Sequence, residues 1–344
     1  MKLPFEPKIL AYSISWVNNP ILSVLVPIPT VKLAELRTHR LLSQFESEVI
    51  NTSTNNYDLS INANSSRAIP TDKQLLFSSK KPYNPIWTIK QKGMQGKIST
   101  DITTMKSCDI LWKTAYERMT YYVETFDAFD IHKQDACLLL NPFSWTTCII
   151  TADKAGWDNF FELRCPNYNL HGKRYYSKKE CTEAFGVDNI DFNDINISMT
   201  YPAIREIAEK IYDLWTYNEP VYLHTKEWHI PFINDVAYID SSTSIKDKLY
   251  ISVSKCAMIS YDNQDKEESI ESHINRANRL ITSKHNSTME HQYQVPTKQE
   301  IMSNDFKEGF INELFTEEIK YQKGKYISNI KGWKQFRKIV ENSN

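Results

Sequence analysis

Glycine is scarce, with 8 residues in 344, and none of them sits in a GxGxxG or GxxxxGK[ST] pattern. A Rossmann fingerprint and a Walker phosphate cradle are both excluded on that ground. An excess of either charge is also missing. Lys and Arg total 41 against 42 Asp and Glu, a formal charge of -1. No bulk electrostatic footprint for nucleic acid or another polyanion is present. No apolar run approaches the roughly 18 to 20 residues of a membrane span. The first ten residues, MKLPFEPKIL, lack the apolar core of a signal peptide. CxxC pairs are absent, and the six cysteines, at 108, 137, 148, 165, 181 and 256, are scattered. Cysteines so placed in a large chain are expected as reduced thiols, with the cytoplasm as their location.

What is present is core material. Hydrophobic residues make up 41% and aromatic residues 12%, enough for one large globular domain or two modest ones. Residues 10–33 are rich in Val, Ile, Leu and Pro, which predicts a strand or two broken by Pro20, Pro27 and Pro29. From Val31 to Leu42 the pattern turns helical, with Glu35, Arg37, His39 and Arg40 among the apolar positions. Residues 43–59 are dense in Asn, Ser and Thr and read as an inserted surface loop.

Further on, Cys108 to Phe129 places Ile110, Leu111, Ala115, Met119, Tyr122, Val123 and Phe126 at helical spacing. The helical character resumes at His132 and stops at Asn141-Pro142. Residues 144–152 are β-prone, and Trp157 to Leu163 starts a helix with Asp158 near its positive end. Residues 165–197 read as a second insertion. Ala203 to Trp215 is an amphipathic helix, 249–261 alternates like a strand, and 268–284 is a charged amphipathic helix. Residues 301–344 are polar and Lys-rich, expected as a peripheral helical tail to a domain spanning 1–300. The mixture predicts an α+β (mixed α/β) fold.

Two clusters draw attention chemically. Glu35, Arg37, His39 and Arg40 share a short helix, followed by Ser60, Asn62, Ser65, Ser66 and Arg67. Arginines, a histidine and hydroxyls make a cradle for a phosphorylated ligand, since guanidinium matches phosphate oxygens bidentately. The same residues are equally a solvated charged helix running into a polar loop. The second cluster is His285, Ser287, Glu290 and His291, readable as an exposed loop, a metal site or a cofactor contact. Its HxxxxxH spacing is not the HExxH of a helical zinc site, and no metal is expected. His229, within EWHIPF, reads as a hydrogen-bonded core histidine.

The strings AELRTHRLLS (34–43) and SINANSSRAIP (60–70), spliced across the insertion, resemble the signature of the flavin-dependent thymidylate synthases, the ThyX family. That signature is RHRxxSxNExSxRY, with a phage-type variant THRxxSRNASSSRAIP. Further similar strings are KQKGMQ (90–95), IHKQ (131–134), NPFSWTT (141–147), WDNFFELR (157–164), EWHIPF (227–232), ISVSKCAMISY (251–261) and HNSTMEH (285–291). The last two precede the RHR motif in commoner members, so this chain resembles the circularly permuted phage type, over roughly residues 10–295 less the two insertions.

The resemblance implies a central sheet with long helices, in a homotetramer whose active sites form between subunits. It implies FAD as cofactor, methylenetetrahydrofolate as carbon donor and NADPH as reductant, for the methylation of dUMP to dTMP without a cysteine nucleophile. For a phage-encoded chain the location would be the host cytoplasm; neither nucleic acid nor membrane is an expected partner. Carried over by motif, Arg164 is the catalytic residue, set against the pyrimidine. Glu35, Ser65, Ser66 and Arg67 join it in holding dUMP, and His39, Arg40, Asn62, Asn159, His285, Ser287 and Glu290 are assigned to FAD.

Departures from the family pattern bear on the substrate. Leu138, Ile61 and Met258 stand where the motifs carry arginine, Ala63 replaces a usual Glu, and Cys137 and Asn141 alter the string around Leu138. Tyr201 and Ala203 stand where many members have Gln and Glu. Two alternatives therefore accompany the synthase reading. One is hydroxymethylation of dUMP or modification of another pyrimidine nucleotide on the same scaffold. The other is a non-catalytic homologue that binds flavin or nucleotide.

Overall fold

The computed structural model describes residues 3–38, 59–65, 68–92, 96–186, 190–193, 195–198, 200–236, 239–263, 266–312 and 319–343, with backbone alone for 235, 308–312 and 319–323. The chain opens with β1 (Lys8–Ser15), β2 (Ile21–Pro29) and, after a 3-10 turn at Thr30–Lys32, the short α1 (Leu33–Arg37). Next come β3 (Ser60–Ala63), α2 (Thr71–Lys80), the hairpin of β4 (Thr88–Ile89) and β5 (Lys97–Ile98), and the long α3 (Ile102–Ala128). α4 (Lys133–Ala136) leads through a 3-10 turn at Cys137–Phe143 to β6 (Trp145–Asp153) and α5 (Lys154–Arg164). A hairpin of β7 (Tyr168–Leu170) and β8 (Lys173–Tyr175) precedes α6 (Lys178–Phe185), α7 (Pro202–Thr216), β9 (Val221–Leu223) and β10 (Trp228–His229). Then follow α8 (Ile245–Met258), α9 (Ile270–Thr282), β11 (Tyr293–Gln294) and α10 (Lys298–Met302). The hairpin β12 (Glu308–Asn312) and β13 (Ile319–Lys323), β14 (Lys334–Gln335) and α11 (Phe336–Glu341) complete the chain. The fold is α+β, as expected.

Five strands form the central sheet in the order β3-β6-β2-β1-β9, antiparallel except for the β1–β9 pair. β2 is buried at every position. Pro27 and Pro29 do not break it, because pairing with β1 ends at Leu25 and β6 is the remaining partner there. A proline in a strand is tolerated where one edge asks for no N–H. Alternation then sorts the side chains. Leu22, Val24, Val26, Ile28, Ile150 and Ala152 face α5 and α7, packing on Trp157, Phe160, Phe161, Ile204, Ile207 and Ile211. Leu25 and Ile149 face the other way, against Phe232, Cys256 and Ile259.

Three sequence expectations are corrected. Residues 249–261 are not a strand but most of α8 and a closing 3-10 turn at Ile259–Tyr261. Every residue from Ile251 to Met258 is buried, including Ser252, Ser254 and Lys255. A helix covered on all sides has no solvent stripe to reveal its period, so the alternation of polar and apolar letters misleads. Residues 301–344 are not a peripheral helix. β14 completes a second sheet, β10-β11-β14, while Trp333 is fully buried and donates from Nε1 to the Asn19 carbonyl at 2.9 Å. α5 starts at Lys154, three residues before the expected Trp157, so Asp158 lies past its first turn and pairs with Lys154 in solvent, while Asp153 caps the helix, accepting from Gly156 N at 3.0 Å.

The segment expected as a second insertion has a small core of its own, Tyr168, Tyr175 and Cys181. It is tied to α7 through buried Glu209, which accepts from Tyr168 Oη at 3.1 Å and Lys178 N at 2.6 Å. The first, 43–59, lies outside the described residues except for Leu59, which is buried. All six cysteines are free, five of them buried. Among the described residues no helix is long and apolar enough to cross a membrane.

The tail's burial has a measurable consequence. Trp333→Ala should lower unfolding free energy by about 3–5 kcal/mol, the usual cost of deleting a buried large aromatic. Urea denaturation reads it, and a change under about 0.5 kcal/mol would return residues 330–336 to the status of a surface tail.

Candidate functional site

Arg164 ends α5 and Glu35 lies in α1, 129 residues apart in sequence, yet Arg164 Nη1 donates to Glu35 Oε1 at 2.6 Å. Both side chains are about a quarter exposed (21% and 26%), so the pair sits at a wall of the molecule and not in its core. The second Glu35 oxygen is 3.8 Å from Lys32 Nζ, and that ammonium lies 3.6 Å from the centroid of the Tyr201 ring. Tyr201 is hydrogen-bonded hydroxyl to hydroxyl with Tyr83 at 2.9 Å. Burial, reinforced by the Tyr201 hydroxyl, holds the Tyr83 phenol far above its ordinary range. Glu35 thus stands between two cations, Lys32 and Arg164. The ion pair contributes little to stability at such exposure; its effect is to fix the direction of a guanidinium.

The turn from β2 into α1 has a second side. Thr30 and Leu33 line a cleft of about 520 Å³ that also meets Asn64, Ser65, Trp145 and Asp262. Ser65 is pinned there by its backbone, N to the Ser260 carbonyl at 3.1 Å, while its own carbonyl accepts from Ala68 and Ile69. Asp262 accepts from Thr147 Oγ1 at 3.0 Å. Lys73 does not offer its charge to the cleft: Nζ is held by the carbonyls of Tyr261 and Asp262 at 3.1 and 3.2 Å.

Across the sheet lies a buried polar row. His229 joins Ser13 (Nδ1, 3.0 Å) to Ser23 (Nε2, 2.8 Å), Ser23 meets Thr151 at 2.6 Å, and Thr151 meets His291 Nδ1 at 2.9 Å. All five residues are buried. Burial pushes the His229 imidazole down to about 3, so it is neutral in the fold, one nitrogen donating and the other accepting. Beside the row, Ser60 on β3 accepts from Asn329 Nδ2 at 2.9 Å, and Gln335 Nε2 donates to Tyr293 Oη at 2.8 Å. The HNSTMEH segment is thereby fastened to the sheet. Its Glu290 is buried and accepts from Arg337 Nη1 at 2.6 Å; Ser287 lies within a 3-10 turn; His285 is exposed, its Nδ1 2.8 Å from Ser283 Oγ. His285 and His291 thus turn to different partners.

Of the residues singled out in the sequence, Arg164 and Glu35 meet, and Ser65 lies on the cleft that the same β2–α1 turn borders. Asn62, opposite Ile149 on β3, shares the sheet face of the polar row. Asn159 lies beyond the opposite face, in an open cleft with Tyr212 and Tyr176, whose rings stack at 5.2 Å. His39, Arg40, Ser66 and Arg67 lie outside the described residues. A single chain does not gather Asn62, His285 and Asn159 around one flavin, because the sheet separates them. The three missing arginines are also unlike one another: Ile61 and Met258 are buried, whereas Leu138 is 53% exposed. The phenol pair, Asp262 and the hydroxyl row went unread in the sequence; the signal was hydroxyls recurring on one face of a strand, as in Ser13 and Ser15, two apart, or Thr147 and Thr151, four apart.

No protein-family model matches the chain, and no curated protein matches it in sequence. Among solved structures it is similar to a UMP/dUMP methylase, PolB from Streptomyces cacaoi, bound with 5-Br dUMP. That likeness has a TM-score of 0.38 and 15% identity, covering 58% of this chain and 67% of the other. The same enzyme bound with 5-Br UMP gives 0.37 and 15%, covering 58% and 69%. A superposition this loose does not carry the neighbours' ligands across to this chain.

The buried row dictates an acid response. His229 has a folded-state value (about 3) below its unfolded one (about 6.5), so its contribution is complete above the latter and lost as pH falls toward the former. His229→Asn should weaken the protein near neutrality by about 1–3 kcal/mol and flatten the acid limb of stability by up to roughly 1.4 kcal/mol per pH unit. Urea titrations at pH 7, 5.5 and 4 measure both. Equal acid slopes in the two proteins would mean that His229 is not held neutral.

Proposed function

We propose that the protein is an enzyme of pyrimidine nucleotide modification that methylates dUMP to dTMP. In this reading methylenetetrahydrofolate is the carbon donor, NADPH the reductant and FAD the cofactor. The observation that carries it is the Arg164–Glu35 contact. Two residues assigned to one ligand by motif, and remote in sequence, meet at a partly exposed wall. There Arg164 would polarise the uracil carbonyl, where delocalised charge stabilises an electron-rich ring. Glu35 would keep the guanidinium aimed, and Ser65, Ser66 and Arg67 would hold the nucleotide's polar end.

Bound flavin would supply redox chemistry that no side chain of this chain offers. Since Asn159 lies across the sheet from Asn62 and His285, the reading takes the flavin site to be completed by a second copy, within a homotetramer. It places the reaction in the cytoplasm, the compartment of reduced thiols. Hydroxymethylation remains the rival on one observation: Leu138 is exposed, so a guanidinium has been lost from a surface and not from a core.

The experiment is mass spectrometry of products from dUMP incubated with FAD, methylenetetrahydrofolate and NADPH. The expected product is dUMP heavier by a methyl group; one heavier by a hydroxymethyl group supports the rival. Arg164→Ala should cut turnover by about 10²–10³-fold while preserving the melting temperature and flavin absorbance. Near-normal turnover in that variant, or no product from a flavin-loaded wild type, overturns the assignment.

A further inference from the structure

The cleft beside the β2–α1 turn carries opposite charges at its two ends. At one end stands the Asp262 carboxylate, whose Oδ1 accepts from Thr147 Oγ1 at 3.0 Å. Among the described residues it forms no ion pair, and its second oxygen accepts from no other group. The Asp262 backbone is left-handed, with φ 52°, a conformation that Asp and Asn tolerate better than most side chains. From there α2 runs along the cleft. Lys73, in its first turn, holds the Asp262 carbonyl, and Lys80 ends the helix seven residues later, about 10 Å along the axis. Lys80 and Lys81 are exposed and line the cleft, and among the described residues neither pairs with a carboxylate. Lys81 Nζ donates to the Pro4 carbonyl, which leaves its charge uncompensated.

The lining between the ends is aromatic. Phe77 lies on α2 between Lys73 and Lys80, and Trp145 precedes Thr147 by two residues on β6, its ring set edge-on to Tyr83 at 5.3 Å. A ligand that fits has two adjacent N–H donors at one end, a flat apolar middle and an anion at the other. The 2-amino-4-oxo ring of a pterin presents N3–H and the 2-amino group side by side, which matches the two oxygens of a carboxylate. A p-aminobenzoyl ring and glutamate carboxylates follow it in a folate. A guanine nucleotide shares the donor pair and the anion, but its middle is a hydroxylated ribose, which Phe77 and Trp145 do not serve. The volume of about 520 Å³ is that of an ordinary small-molecule site.

We propose that Asp262 is the residue that selects the pterin of the carbon donor, and that Lys80 and Lys81 hold its glutamate tail at the far end of this cleft. None of the residues carried over by motif was assigned to the folate. The choice of a folate over a guanine nucleotide rests on the reaction proposed above; the placement of the donor pair and the anion rests on the cleft alone. Ser65, assigned to the nucleotide, borders the same cleft, which sets the two substrates side by side, as carbon transfer requires.

Binding measures it independently of turnover. Anaerobic calorimetry on the flavin-loaded chain compares tetrahydrofolate, tetrahydropteroate (the same ring system without glutamate) and dGMP. The wild type should bind tetrahydrofolate more tightly than tetrahydropteroate, and dGMP more weakly than either. Asp262→Asn keeps the left-handed backbone comfortable but sets an amide donor against the ring's donors, and should weaken both pterins about 10–100-fold. Lys80→Gln with Lys81→Gln should bring tetrahydrofolate to the affinity of tetrahydropteroate and leave the latter unchanged. Saturating dUMP should not displace tetrahydrofolate. A wild type that binds no folate, an Asp262→Asn variant with wild-type affinity, tighter binding of dGMP, or displacement by dUMP would each overturn the placement. Unchanged variants beside a wild type that forms dTMP would overturn the placement and spare the reaction. The expected affinities without any product would do the reverse.

Discussion

The row of hydroxyls and imidazoles from Ser13 through His229, Ser23 and Thr151 to His291 constrains the rest of the molecule. Polar groups so deeply placed are tolerable when each finds a partner, since an unmet buried donor or acceptor costs about 1–3 kcal/mol. Three strands of the central sheet each contribute one hydroxyl, and β10 and the segment before β11 each contribute an imidazole. The register of β2 against β6, with Ser23 opposite Thr151, follows from this as much as from the apolar face. A one-residue slip of β2 would turn Ser23 into the layer of Trp157 and Phe160 and expel Leu22 from it.

The same constraint organises the candidate site. EWHIPF and HNSTMEH meet the sheet through His229 and His291, 62 residues apart in sequence, and the C-terminal segment locks over HNSTMEH through Gln335 and Arg337. On the far side, α5 leaves β6 at the Asp153 cap and delivers Arg164 to Glu35 eleven residues later. The sheet is therefore a partition. Arg164, Glu35 and Ser65 gather near the β2–α1 turn, Asn62 lies on the face of the polar row, and Asn159 lies beyond the opposite face.

Much of this was legible in the sequence, and the failures have physical causes. α3, α5, α7 and α9 were visible because each has a solvent side that keeps its period. α8 was not, because burial on every side from Ile251 to Met258 erased the stripe. The tail looked peripheral from its lysines, yet Lys334 is buried and paired with Glu300 at 2.7 Å, and Trp333 anchors the segment. Arg164 and Glu35 were reached through motif resemblance; that they touch is a tertiary fact no spacing announces. Ile61 and Met258 counted in the sequence as lost ligand contacts, and packing gives both another purpose. The hydroxyl row was overlooked because Ser and Thr in a strand read as neutral filler until their facing partners are known.

Thr151 links the row to the site segment, bonded on one side to Ser23 and on the other to His291. Thr151→Val keeps the shape and removes both hydrogen bonds. Backbone hydrogen exchange of this variant tests directly whether the row holds the site segment in place. Amides in 285–292 should lose protection relative to the wild type, while those of α5 and α7 on the other face keep theirs. Unchanged protection in 285–292 would contradict the account.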